Sequence, residues 1–397
     1  MKNYDVIIVG GGPVGLCFAA SVAKLGLQVV VIEQQSQENL ALPAKDGRDI
    51  AITPLSKKIL HELGVWQHIP MDMISIIKQA KVLNGASSHT LDFDAGAVGK
   101  EKLAYIVSNH LIRKAAFQNA TQYSNISLIT DVGAVDAYST DKSAFLTLSN
   151  GRKLTGHLLV AADSRFSTIR EKMGISSKIN NFGKHIIVCQ MEIERNHNHI
   201  AHECFYYGYT LATLPLCNNK CSVVLTVVPH KARLFMNMNT EEFNSKIEEL
   251  SLFKYGKMKQ IGERYLYPLV SVYANQFVGK CFALLGDAAV GMHPVTAHGF
   301  NFGIQGQNNL SNKIKMALKS NSFIGSQAML VRYEREHRQL TKLLYITTNT
   351  IATLFTNDTL MIRGVRDVLL KVANHALPIK KLILSTLTEG GHQSDMF

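Results

Sequence analysis

Tyr4-Asp5-Val6-Ile7-Ile8-Val9-Gly10-Gly11-Gly12-Pro13-Val14-Gly15 opens the chain, followed by an apolar stretch to Gly26 and a β-branched run ending at Glu33. Tyr4–Val9 has the composition of a short buried strand, Pro13–Leu25 that of a helix stopped by Gly26, and Leu27–Ile32 that of a second strand. A right-handed crossover makes the two strands parallel. The turn between strand and helix is a GxGxxG. Gly10 allows the tight turn, Gly12 lets the backbone approach a pyrophosphate, and Gly15 lets the helix pack closely on the strand. The helix start then offers unpaired N–H groups and a positive dipole end to phosphates. Glu33 is placed to accept hydrogen bonds from ribose hydroxyls and would repel a 2′-phosphate. The stretch points to a dinucleotide. A plain glycine turn with an exposed glutamate is the competing reading.

Outward from that unit, the chain is 397 residues long, enough for two to three structural units at roughly 150 residues each. Hydrophobic residues make up 46% and charged residues 18%, which excludes a disordered chain. No unbroken apolar run of about 18 residues suggests a membrane span. The formal charge of +12 favours anionic partners, but it is diffuse, with no Lys/Arg block of the kind that marks a nucleic-acid binder. Gly10, Gly11, Gly12 and Gly15 interrupt the opening apolar stretch, so a secretory signal is rejected. The cysteines form no CxxC, and a disulfide scaffold or zinc site is a poor reading, whereas a reducing cytosol fits. His197, His199 and His202 cluster without an acidic or cysteine partner at ligand spacing, so they read as a polar loop and no metal is expected.

Further along, Thr53–Leu63, Leu111–Gln122 and Thr240–Ser251 read as helices, and Thr155–Asp163 as a buried strand. His185–Glu194, Glu203–Tyr207, Tyr209–Pro215 and Ser222–Pro229 are short β-branched or aromatic segments, the pattern of an inserted antiparallel sheet. Cys281–Leu285 returns to the buried-strand style and leads into Gly286-Asp287. Past Phe300 the pattern is helical, with Ile362, Val365, Leu369 and Val372 on one face.

Three segments carry a family resemblance. His157-Leu158-Leu159-Val160-Ala161-Ala162-Asp163-Ser164-Arg165-Phe166-Ser167-Thr168-Ile169-Arg170 resembles the "ADG…S.vR" motif of class A FAD-dependent aromatic monooxygenases. Gly286-Asp287-Ala288-Ala289-Val290-Gly291-Met292-His293-Pro294 is similar to their "GDAAH…P" motif. Ala297-His298-Gly299-Phe300-Asn301-Phe302-Gly303 resembles the "GQGLNLG" run beside the flavin ring. The variant run Met292–Gly299 looks closest to the ubiquinone-biosynthesis hydroxylase branch and its demethoxyubiquinone hydroxylase type. Ser164 stands where glycine is usual, Val290 where many members have His, His298 where many have Gln, and His110 where an arginine is common.

The resemblance implies an α/β fold: a Rossmann-like, glutathione-reductase-type FAD domain with an inserted antiparallel sheet and a C-terminal helical region. The expected FAD-binding parts are 1–75, 105–178 and 273–325. Substrate-domain parts are 76–104 and 179–272, and the helical region is 326–397. It implies FAD contacts at Gly10, Gly12, Pro13, Val14, Gly15, Glu33, Gln34, Arg48, Val132, Asp163, Gly286, Asp287, Pro294, Gly299, Phe300 and Asn301. Asp287 would bind the ribityl hydroxyls, and the helix starting near Gly299 would aim its N–H groups at the flavin pyrimidine edge. An N-capping Asp287 and surface charges at Arg48 and Asp163 are the bland alternatives.

The absence of a second GxGxxG fits a one-nucleotide protein that meets NAD(P)H transiently. The implied reaction is ring hydroxylation of a polyprenylated phenol or quinol precursor of ubiquinone through a flavin C4a-hydroperoxide. An apolar sheet over the flavin suits water exclusion, and Phe205, Tyr206, Tyr207, Leu214, Val224 and Leu225 supply bulk there, with alternation sending only some to the pocket. Tyr207, Pro294 and His298 are the weaker substrate candidates. The competing functions are a non-catalytic FAD-binding member of a quinone-biosynthesis complex and a flavin reductase of isoprenoid double bonds. The location expected is cytoplasmic, with peripheral contact at the inner membrane left open by the diffuse positive charge and amphipathic tail.

Overall fold

The computed structural model describes residues 2–85, 90–206, 208–293 and 298–356. Tyr207, Pro294 and the Ile362/Val365/Leu369/Val372 face lie outside these residues. The first sheet runs in the order Val278–Gly279, Phe282–Leu284, Lys153–Ala161, Lys2–Val9, Val29–Ile32, Ile126–Ile129. The last five of these strands are mutually parallel. Val6, Ile7, Ile8 and Val29–Val31 have no exposed surface, because a parallel sheet is covered on both faces and its strands read as continuous apolar strings. A meander, Ala134–Ser139 and Ala144–Leu148, extends the sheet antiparallel to Lys153–Ala161.

The helix Pro13–Ala23 follows the first strand, and Gly26 takes φ +85° beyond its end. It packs on the later helix Gly299–Lys319. A Cβ at Gly303 would lie 2.6 Å from Val14 Cγ2, and Ser21 Oγ donates to Gln307 Oε1 at 2.7 Å. These two contacts fix the late helix against the opening helix. The helix Pro54–Leu63 starts at the cap Thr53, whose Oγ1 accepts from Ser56 N–H at 3.2 Å, and ends at Gly64 with φ +93°. The long helix Gln327–Thr356 follows. No helix of the described residues is long and apolar enough to cross a membrane.

The second sheet runs Val290–Gly291, Met258–Ala274, Ser177–Ile193, Lys220–Val227, Tyr209–Leu216, Ile200–Tyr206, Gln79–Asn84, Thr90–Asp94. It departs from the expected all-antiparallel sheet at one junction: Ile200–Tyr206 pairs in parallel with Gln79–Asn84. One face is covered by helices Pro229–Asn237 and Thr240–Leu250, which share an apolar core with Ile187, Leu211 and Leu225. The opposite face looks toward a small antiparallel sheet of Asp49–Ile52, Ala104–Ser108 and Ser75–Ile77, whose Ala51, Ile77 and Ile106 pack with Ala201 and Phe205.

Candidate active site

The carboxyl ends of the first-sheet strands converge. Val9 lies beside both Ala161 and Ile32, and Ala161 lies beside Leu284. Four strand ends therefore bring Gly10, Glu33, Asp163 and Asp287 to one sheet edge. Ligands of open α/β sheets bind at such an edge, where successive connections leave in opposite directions.

The glycines of the opening turn have separate duties. Gly10 has φ +111°, and a Cβ there would run into the Ala162 carbonyl. A Cβ at Gly15 would collide with the Gly10 carbonyl. At Gly12 a Cβ would meet no protein atom within 4 Å. Gly12 is the N-cap of the first helix and supplies no side-chain cap, and Pro13 occupies the first turn. The helix start is thus an open cradle of backbone donors at the positive end of a helix dipole, which suits a pyrophosphate. The pyrophosphate of a dinucleotide such as FAD fits such a cradle.

Glu33 accepts from Gly11 N–H at 2.7 Å through Oε2 and from Gln35 N–H at 2.9 Å through Oε1. These bonds hold the carboxylate against the glycine turn, and each oxygen keeps a further acceptor site. Val132 joins the same corner, its N–H donating to the Glu33 carbonyl at 3.3 Å, and the Gln34 side chain lies against Gly133. Arg113 reaches in from the helix Asn109–Ala120 and donates to Gln35 Oε1 at 2.9 Å.

The second and third motifs meet through two arginines that the cofactor expectations did not include. Arg165 Nη2 pairs with Asp287 Oδ2 at 2.8 Å, while its Nη1 donates to the Val270 carbonyl of the second sheet at 2.9 Å. Arg170 is fully buried and donates through Nη1 to the carbonyls of Arg165 (3.1 Å) and Ala288 (3.0 Å). The two turns are therefore cross-linked, and the Asp287 carboxylate is oriented by Arg165. The only sequence signal was that both arginines sit in the quoted motif. The partners that join them to the later turn and to the second sheet lie more than a hundred residues away.

Gly286 is buried with φ +59°, a left-handed conformation that favours glycine. Ser164 also has φ +81°, so the serine that replaces the usual glycine keeps the glycine-type turn. Asp163 accepts from Ile169 N–H at 3.4 Å, and burial raises its carboxyl above the usual range.

The helix Gly299–Lys319 has His298 as N-cap, with no side-chain cap bond. Gly299 faces Asp287, its Cβ position lying 3.9 Å from Oδ1. Phe300 is partly buried against the first-sheet core. His298 is buried with its ring 5.5 Å from that of Phe302. The Asn301 side chain accepts from Thr53 N–H at 2.9 Å and donates to the Ala51 carbonyl at 2.8 Å. Its amide therefore clamps the strand Asp49–Ile52.

Arg48 precedes that strand. It pairs with Asp46 at 2.6 Å, and its guanidinium lies 5.6 Å from the Tyr267 ring centroid. Next to it, Asp49 accepts from Ser108 Oγ (2.6 Å) and Gln190 Nε2 (3.0 Å), a bridge from the small sheet to the second sheet.

Register resolves which aromatic and apolar side chains share the inner face. Phe205 and Leu214 pack with Ala51, Ile77 and Ile106, and Val224 packs with Ile186 and Val188. Leu225 lies on the helix-covered face, and Tyr206, one residue on from Phe205, stacks on Tyr209 at 4.8 Å. Among the described residues no group of three His, Cys, Asp or Glu could hold a metal ion. His197 Nε2 is instead bonded to the Leu216 carbonyl at 2.8 Å, and His202 to Tyr255 at 2.9 Å.

Comparisons with known proteins agree with this geometry. The model of the FAD binding domain family matches residues 3–346. Ubiquinone hydroxylase UbiM of Neisseria meningitidis is 40% identical over 390 residues, covering 97% of this chain and 85% of that protein. Ubiquinone hydroxylase UbiL of Rhodospirillum rubrum is 30% identical over 383 residues, covering 96% of this chain and 89% of its own. In fold, the chain is similar to p-nitrophenol 4-monooxygenase PnpA from Pseudomonas putida, with TM-score 0.76, 17% identity and 97% of both chains covered.

Proposed function

The chain belongs to the FAD binding domain family, and from that premise we propose that it is an NAD(P)H-using monooxygenase that hydroxylates the ring of a polyprenylated phenol or quinol in ubiquinone biosynthesis. One observation carries the reading: relatives at 40% and 30% identity, aligned over nearly all of this chain, are named ubiquinone hydroxylases. The same observation favours hydroxylation over a non-catalytic assembly role or double-bond reduction.

Bound FAD supplies the redox and oxygen-activating chemistry, with NAD(P)H as the transient reductant. The chain's own groups grip, orient and keep dry. The Gly10–Gly15 turn, with Pro13 and Val14 opening its helix, cradles the pyrophosphate. Glu33, flanked by Gln34 and Val132, receives the adenosine ribose. Asp287, after the left-handed turn at Gly286 and steadied by Arg165, accepts from the ribityl hydroxyls. Backbone N–H groups of Gly299, Phe300 and Asn301 face the pyrimidine edge, where the helix dipole favours negative charge. Arg48 and Asp163 flank the same cofactor, and His298 borders the substrate. On this division, 1–75, 105–178 and 273–325 hold the flavin, 76–104 and 179–272 hold the substrate, and 326–397 is the helical region. The inner sheet face of Phe205, Leu214 and Val224 excludes water from the ring. A polyprenylated substrate resides in the bilayer, so the reading includes peripheral contact of this chain with the inner membrane.

The test is purified protein with FAD, NAD(P)H, oxygen and a prenylated phenol. The expected result is substrate-stimulated NAD(P)H oxidation and a product heavier by about sixteen mass units, one oxygen atom. A product heavier by roughly two units, the mark of double-bond reduction, overturns the reading, as does flavin colour with no turnover. A narrower expectation concerns Asp287. Asp287→Ala should weaken flavin binding by roughly 10- to 100-fold, the usual worth of a hydrogen bond to a charged group. Fluorescence titration of the flavin-free protein measures it, and an unchanged affinity removes Asp287 from the ribityl site.

A further inference from the structure

On the inner face of the second sheet one row is built unlike its neighbours. Glu203 lies beside Val82 on one side and Ala212 on the other, and Ala212 lies beside Val224. All four are partly accessible. Two residues to either side of Glu203 on its strand, Ala201 and Phe205 are buried against the small sheet. The row itself ends on buried residues, Leu91 beside Val82 and Val188 beside Val224, the latter packed with Ile186 and Leu269. The row is therefore an open seam bordered by buried apolar side chains.

Glu203 is the single charged side chain of that row. Glutamate is almost never placed in such surroundings without a partner. Here no described residue gives its carboxyl a hydrogen bond or an ion pair. Asp49, which faces the same sheet, shows the contrast: Ser108 and Gln190 satisfy it. Glu203 retains some accessible surface yet is surrounded by protein, the combination expected at the floor of a cleft. The seam borders a patch that the late helix reaches. Ala51, which packs in the same patch as Ala201 and Phe205, is held through its carbonyl by Asn301 in the first turn of the late helix.

We propose that Glu203 is the residue that selects a ring hydroxyl, its carboxyl hydrogen-bonding the phenolic O–H of a substrate ring lying along the Val82–Glu203–Ala212–Val224 seam. The assignment rests on the hydroxylase reading above and names the polar contact within it. The apolar neighbours on the row accept the faces and edges of a carbocyclic ring, and the carboxyl supplies the one directional contact. Burial pushes the carboxyl up to about 8, so near neutral pH it is largely protonated. In that state it can both donate to and accept from a hydroxyl.

FAD-loaded wild type, Glu203→Leu and Glu203→Gln are titrated with a short-chain prenylated phenol and with its O-methyl ether, following the perturbation of flavin absorbance. The wild type should bind the phenol about tenfold or more tightly than the ether, the scale of one hydrogen bond in a dry site. Glu203→Leu should lose that preference. Glu203→Gln, which still donates and accepts, should keep part of it. Full preference in Glu203→Leu, or none in the wild type, overturns the assignment. Removing an unpartnered buried carboxyl should not lower the melting temperature, and the glutamine variant serves if the leucine variant does not fold. Hydroxylation of the same phenol by the wild type is measured alongside. Product formed without any phenol preference sinks only the role of Glu203, whereas a phenol bound with preference and left unhydroxylated sinks only the functional reading.

Discussion

Gly12→Val should give a folded and colourless protein. Gly12 has φ −70° and ψ 172°, an extended conformation open to any L-residue. Its Cβ position meets no protein atom within 4 Å, so valine disturbs no packing. The same branched side chain stands in front of the helix start, where the backbone must come close to a pyrophosphate. The melting temperature should match that of the flavin-free wild type, which is the proper reference because bound flavin stabilises by mass action. Flavin retention should fall to nothing measurable in the visible spectrum. Gly10→Val and Gly15→Val provide the contrast. They drive a side chain into the carbonyls of Ala162 and Gly10, and at Gly10 the left-handed φ adds about 1–2 kcal/mol. Those variants should fail to fold rather than fold without colour. A yellow Gly12→Val protein would remove the pyrophosphate from this turn.

What could be read from the sequence was what local chemistry dictates. The opening strand–helix–strand, the helix near Thr53, the helix near Thr240 and the buried strand before Gly286 all follow from periodicity and punctuation within a short window. The two long strands of the second sheet did not. In Ser177–Ile193 the segment Asn180-Asn181-Phe182-Gly183 carries turn chemistry, and Gly183 does take φ +63°, but the strand continues through a shift of register between Asn181 and His185. Gly262, at φ +67° in Met258–Ala274, lies by the second shift in the same pair of strands. A bulge and a turn share residue preferences, and the pairing partner decides between them.

The site divides in the same way. The glycine turn was legible because the left-handed Gly10 and the close approach at Gly15 restrict residue type, and the two aspartates because they stand in motifs that resemble those of a known family. The partnerships were not. Arg165 and Asp287 are 122 positions apart, and Thr53 and Asn301 are 248 apart. No window of sequence contains either pair. Glu203 was hidden for a related reason, since strand alternation says that it faces opposite to Cys204 but not what fills the rows beside it.

Asn301→Leu should be the most destabilising polar substitution near the candidate site. The side chain is 1% exposed, and its amide satisfies the Thr53 N–H and the Ala51 carbonyl at once. Leucine is of similar size and fits the space, but it leaves both backbone groups buried without those partners. Each such loss costs about 1–3 kcal/mol, and the sum is roughly 2–6 kcal/mol. The damage has a direction. Thr53 is the cap of the helix Pro54–Leu63, while Ala51 belongs to the strand that also carries Asp49 onto Gln190 of the second sheet. Releasing the clamp loosens the element that joins the flavin side to the substrate side. The denaturant midpoint should fall, and the Thr53 amide should exchange with solvent far faster than its neighbours Ile59 and Leu60 inside the helix. Hydroxylation should lose coupling, with more NAD(P)H consumed for each product formed, because water reaches a site whose roof no longer closes. An unchanged midpoint together with a protected Thr53 amide would mean that the clamp holds nothing, and that the late helix and the small sheet are joined by apolar packing alone.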